Sequence, residues 1–94
     1  MSAIWKYAIP VGGGTFRPLM PEGAEIVHVA MQADGLSETL CAWALVDPAA
    51  DLKPVALAVF ATGQEFDADE WEHVGTGIFL GGRYVWHLCR RRGA

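Results

Sequence analysis

Six or seven short runs of strand-forming residues, each stopped by glycine, proline or an Asp-Gly pair, divide this chain from end to end. Runs of that length, closed by turn residues, predict strands rather than helices. Ala3 to Ile9 (AIWKYAI) alternates Trp5, Tyr7 and Ile9 against Ile4, Lys6 and Ala8, then stops at Pro10 and the Gly12–Gly14 triplet. Thr15 to Met20 is a short run interrupted by Pro18, which suits a sheet edge. Glu25 to Ala33 places Val27, Val29 and Met31 opposite Ile26, His28, Ala30 and Gln32, and Asp34-Gly35 after it predicts a hairpin turn.

Leu36 to Val46 fits either a strand or a helix. The preceding hairpin turn and the following Asp47-Pro48 favour the strand. A loop, DPAADLKP, leads to the apolar run Val55 to Thr62, as expected of a strand covered on both faces. The polar segment GQEFDADE follows, with one helical turn capped by Asp67. Trp71 to Leu80 and Arg83 to Arg90 then predict a closing hairpin around Gly81-Gly82, with a bulge or a close backbone approach at Gly75 and Gly77. The fold class is therefore all-β: a small antiparallel β-sandwich or partly closed barrel of six or seven strands. It is one domain over residues 1–94, with residues 90–94 as a basic tail.

Composition enters at this point. Of 94 residues, 52% are hydrophobic and only 19% are charged. A domain this small buries only part of its apolar surface alone, so a homo-oligomer is expected. A net charge of −4 argues against general nucleic-acid binding, though not against a local positive pocket. No apolar run is long enough to span a membrane, and no membrane partner is expected. Cys41 and Cys89 form no C-x-x-C pair and read as reduced, packed thiols.

No reaction motif is present. There is no G-x-S-x-G, and neither Ser2 nor Ser37 sits beside a base in the sequence. His28, His73 and His87 lack metal-ligand spacing, so neither a metal nor a cofactor is expected. The acids Asp67, Asp69, Glu70 and Glu72 read as a solvated loop. The last hairpin is richer. Alternation puts Arg83, Val85, His87 and Cys89 on one face and Tyr84, Trp86, Leu88 and Arg90 on the other. The aromatic face reads first as core and second as a plate for a nucleobase.

Several stretches recur together in one family: IWKY at Ile4 to Tyr7, MPEGAEIVHVAMQ from Met20, WALVDP from Trp43, TGQEFD from Thr62 and HVGTGIFLGGRYVWHL from His73. In these the chain resembles small proteins encoded by tailed bacteriophages. The resemblance carries over no catalytic residue. It implies a location in the cytoplasm of the infected bacterial host. By analogy of size and phage setting rather than by family, the expected role is anti-defence, since small phage proteins include sponges for nucleotide-derived immune signals. The expected partner is then a small anionic nucleotide-type ligand, held without catalysis by Trp5, Lys6, His28, Arg83 and His87. Thr62, Gly63 and Gln64 form a loop over that pocket. The alternative is a protein–protein interaction module that inhibits a host protein or serves the particle. A phosphodiesterase-like enzyme comes third and requires histidines to converge.

Overall fold

The computed structural model describes every residue except Gly13 and Ala94. The described residues form nine strands: β1 (Ala3–Ile9), β2 (Thr15–Phe16), β3 (Leu19–Pro21), β4 (Glu25–Asp34), β5 (Ser37–Val46), β6 (Leu52–Pro54), β7 (Leu57–Ala61), β8 (Trp71–Phe79) and β9 (Tyr84–Arg91). The count exceeds the six or seven expected, for two reasons. Arg17-Pro18 splits the second run into β2 and β3, and the loop before Val55 contributes β6. Residues 37–46 are strand throughout, since the hairpin turn pairs Asp34 directly with Ser37. Gly35, at a φ of 64°, supplies the left-handed position of that turn.

All pairing is antiparallel. One sheet has the order β1-β5-β4, the second β2-β7-β9-β8, and a two-stranded ribbon joins β3 to β6. The sheets stay open rather than closing into a barrel. Their inner faces share one core of Ile9, Val29, Leu40 and Ala42 from the first sheet with Leu57 and Leu88 from the second. Met20, Ala24, Ala44 and Val46 fill the end beside the ribbon.

Two bulges set which residues face that core. In β4 the register shifts between Ile26 and His28, so Ile26 and Val29 both pack inward while Val27 is exposed. Strict alternation had put Ile26 and Val29 on opposite faces. In β8 the register shifts between His73 and Gly75. Gly75 and Gly77 then face the first sheet, where a Cβ on Gly75 would overlap Val29 and one on Gly77 would lie 2.5 Å from Leu40 Cδ1. The close approach read from these glycines is therefore an approach of sheet to sheet.

The second sheet also carries a small core on its outer face: Ala58, Trp71 and Cys89 with Phe60, which stacks on Phe66 at 4.8 Å. This is why the run from Val55 is apolar on both faces. The covering loop closes in one turn at Asp67, whose carbonyl accepts from Trp71 N–H at 2.9 Å and whose carboxylate caps Asp69 N–H at 2.8 Å.

The arginine run is not a tail. Arg90 and Arg91 belong to β9. Arg90 donates to the Ala24 carbonyl at 2.8 Å, Arg91 pairs with Glu70 and lies over the Trp71 ring, and Arg92 donates to the Ala68 carbonyl at 2.9 Å and pairs with Glu72. Backbone bonds from Arg91 to Ala56 and from Arg92 to Glu70 continue the ladder past the apolar residues. Two of the acids read as a solvated loop, Glu70 and Glu72, are the partners of Arg91 and Arg92.

Candidate functional site

The sandwich has two unlike ends. The ribbon and the arginines occupy one. At the other, the inner face of β9 runs on beyond the core. Trp86 is half-buried against Leu88 and its neighbours, and Tyr84 is 47% exposed. The Tyr84 and Trp86 rings stack with centroids 6.4 Å apart and planes 11° from parallel, and Phe79 stacks on Tyr84 at 5.9 Å. Cross-strand pairing of Phe79 with Tyr84 and alternation along β9 produce this file of rings.

Two concavities flank it. One, of about 440 Å³, is apolar and lies between the sheets, with Ile9, Met31 and Leu40 opposite Phe79, Tyr84 and Trp86. The other, of about 370 Å³, combines Tyr84 and Trp86 with Arg83, Thr62 and Gly82. Arg83 lies on the loop between β8 and β9. That loop is longer than the two-residue turn expected, because strand pairing ends at Phe79 and Tyr84, and Leu80, Gly81 and Gly82 all take positive φ.

Arg83 and Thr62 thus stand together with the aromatic plate. Trp5, Lys6 and His28 do not join them. Trp5 faces inward on the edge strand β1, opposite Ala44. Lys6 lies on the outer face of the first sheet and donates to Gln32 Oε1 at 2.7 Å. His28 packs on Trp43 there at 5.4 Å. Gln64 is bound within its own turn, its side-chain oxygen accepting from Ala61 N–H at 3.0 Å, and Gly63 supplies that turn's left-handed residue.

His87 belongs to a second cluster, on the outer face of the second sheet. His73 Nε2 is 3.1 Å from His87 Nδ1, Thr76 Oγ1 is 3.1 Å from the former and 3.2 Å from the latter, and Thr62 Oγ1 is 2.7 Å from His87 Nε2. The β8 bulge creates this grouping. An unbulged strand would turn His73 and Thr76 to opposite faces, three residues apart.

Neither thiol is placed for nucleophilic chemistry. Cys41 and Cys89 are buried and unpaired with each other, and burial pushes the Cys89 thiol pKa up, away from the reactive thiolate. Among the described residues no helix is long and apolar enough to cross a membrane.

The whole chain, residues 1–94, matches one family, described as a domain of unknown function (DUF7352). The chain belongs to that family. No curated protein and no solved structure matches it. The family therefore brings no ligand or reaction with it, and the chemistry must be read from the side chains.

His73 and Thr76 were absent from the sequence-based site, and Tyr84 and Trp86 were weighed only as the second reading of the aromatic face. A signal for Thr76 and His87 was present. Folding the last hairpin about Gly81-Gly82 puts Thr76 opposite His87, as observed. His73 had no such signal, because only the bulge turns it to their side.

Proposed function

We propose that this is a non-catalytic binding protein that sequesters a small anionic ligand of nucleotide type. The observation that carries the reading is the Tyr84–Trp86 stack, with Tyr84 exposed and Trp86 half-buried, beside Arg83. Parallel aromatic rings open on one side take a planar base, worth about 1–3 kcal/mol per stacked base. A guanidinium next to the plate pairs with phosphate in two parallel hydrogen bonds. Thr62 also lines that concavity, while its hydroxyl is held by His87 Nε2 at 2.7 Å. The resemblance to small tailed-phage proteins supplies the setting, and by analogy an anti-defence protein acting on a nucleotide-derived immune signal; the 52% hydrophobic content supports a homo-oligomer in which a second copy covers the open concavity.

The interaction module has an observation of its own. On the outer face of the first sheet, Ile4 pairs across with Leu45, and Val27 lies nearby on β4. All three are 40–55% exposed, and Lys6 and His28 border them. This is an exposed apolar strip on a sheet face.

A thermal-shift panel of ADP-ribose derivatives and cyclic dinucleotides separates the two. One compound should raise the melting temperature and come back intact after denaturation. At 100 times its dissociation constant it adds about 2.7 kcal/mol. Tyr84→Ala and Arg83→Ala should each weaken it about tenfold or more, since a charged hydrogen bond or a stacked base is worth about 1.5–3 kcal/mol. Arg17→Ala, far along the chain on the exposed link between β2 and β3, should not. His73 and His87 do converge, 3.1 Å apart, which meets the geometric condition of the phosphodiesterase-like reading, and return of a cleaved compound makes the protein an enzyme. A panel without any shift favours the interaction module.

A further inference from the structure

The cluster on the outer face of the second sheet has a use that the aromatic groove does not require. We infer that His73, His87 and Thr76 form a binding site for a late first-row divalent cation of the Zn²⁺, Cu²⁺ and Ni²⁺ class. This inference does not rest on the nucleotide reading.

The argument begins with three atoms. His73 Nε2, His87 Nδ1 and Thr76 Oγ1 form a nearly equilateral triangle with edges of 3.1, 3.1 and 3.2 Å. Two nitrogens bound to one Zn²⁺ at about 2.0–2.1 Å lie about 3.3 Å apart at a tetrahedral angle, and about 2.9 Å apart at a right angle. The observed nitrogen separation falls between those two values. Three atoms so spaced can share one face of a metal-sized polyhedron, and His73 is exposed.

Other occupants fit less well. A phosphate held between two histidines needs them several ångströms apart, with an oxygen on each, and 3.1 Å leaves no room for it. A cation at this triangle takes one lone pair from each atom when His73 carries its proton on Nδ1 and His87 carries its proton on Nε2. The Thr62 oxygen, 2.7 Å from His87 Nε2, is placed to accept the latter.

Thr62 also supplies what a metal-binding histidine requires from its surroundings. A partner on the far ring nitrogen fixes the tautomer and orients the ring. Strands hold the ligands, with Thr76 directly opposite His87 and His73 turned to their side by the bulge, and Thr62 stands in the turn just after β7. Imidazole nitrogen selects late first-row ions over Mg²⁺ and Ca²⁺, which take oxygen ligands. Among the described residues no three of His, Cys, Asp and Glu gather as a cation site. The third ligand is therefore a neutral hydroxyl, and the remaining positions belong to water. That makes an exchangeable surface site whose affinity follows the order Cu²⁺ above Ni²⁺ above Co²⁺.

The test uses the full-length chain stripped with chelator, titrated by calorimetry with Cu²⁺, Ni²⁺, Zn²⁺ and Mg²⁺ separately. One equivalent of each of the first three should bind, and Mg²⁺ should not. The Cu²⁺ complex should show two imidazole nitrogens in its electron paramagnetic resonance. His73→Gln and His87→Gln should each abolish the one-to-one complex. His28→Gln should leave it unchanged, and Thr62→Val should weaken it about tenfold or more. Melting curves on each variant separate lost binding from lost folding, and Thr62→Val keeps both ligands if a histidine variant fails to fold. Binding that survives both histidine substitutions, a spectrum with fewer than two nitrogens, or no one-to-one complex with any of these ions would overturn the site.

Discussion

Gly75 shows how much of this fold rests on a missing atom. Its Cα faces Val29, and a Cβ there would overlap both the Cβ and the Cγ2 of that valine. Backbone and valine are both fixed inside the core, so neither can yield cheaply. Gly75→Ala should therefore destabilise the protein by about 2 kcal/mol, within the range for overpacking a close-packed interior. Denaturant midpoints measure this, and the reciprocal change supplies the check. In a Val29→Ala background, Gly75→Ala should cost much less, because the space it needs has been vacated. Equal costs in both backgrounds would mean that the two sheets do not meet at this pair. From the sequence alone, glycines in a strand announced a close approach but not its partner. The partner is fixed only by the packing of β4 on β8. The Tyr7 hydroxyl is the opposite case, an atom present without a role: it is buried and lacks a hydrogen-bond partner among the described residues, and burial raises its pKa. No pattern in AIWKYAI announces that.

At the scale of elements, the sequence conveyed what alternation and turn chemistry can carry. The runs of β1, β4, β5, β7, β8 and β9 were legible because glycine, proline and Asp-Gly bound them. The bulges at Val27 and Val74 were not, since one extra residue leaves composition unchanged and yet turns every later side chain to the other face. His73 was therefore left out of a cluster that contains His87. The short β3–β6 ribbon was also missed, because Pro21 and Pro54 argue against strands unless the ladder is only two strands wide. The loop between β8 and β9 adds a further lesson. Two glycines suggested a tight turn, but Leu80 also takes a left-handed φ of 51°. That conformation costs a non-glycine residue about 1–2 kcal/mol, against the 0.5–1 kcal/mol of added entropy that glycine loses on folding. Leu80→Gly should then raise stability by about 0.5–1 kcal/mol, read as a higher denaturant midpoint at unchanged slope. A lower midpoint would mean that the exposed Leu80 side chain makes a contact worth more than the strain.

The whole molecule has more surface than its mass warrants. Its accessible area is 5986 Å², whereas a folded monomer of this mass is expected to expose about 5300 Å². The shape accounts for the difference, since the domain is a slab of 39 × 35 × 18 Å. The excess of several hundred Å² approaches the roughly 800 Å² that each partner contributes to a standard interface. One edge is suited to supply it. β2 is two residues long, and β4 and β8 carry bulges, which blunt an edge against further pairing. β1 is seven residues of unbulged strand with Lys6 as its one charge. Two copies joined through β1 would make a continuous six-stranded sheet and extend the Ile4 and Leu45 strip across the dyad. Light scattering at micromolar concentration should then give about twice the 10.2 kDa of one chain. Ala8→Lys places a second cation beside Lys6 on the edge, where like charges meet across the two-fold axis. It should shift the mass to that of a monomer while leaving the far-ultraviolet circular dichroism intact. A dimer that survives this substitution pairs through another face, and the apolar strip on the first sheet becomes the place to look. A wild-type chain that runs as a monomer removes the second copy from the proposed ligand site, and the Tyr84–Trp86 plate would then have to hold its ligand with one side open to water.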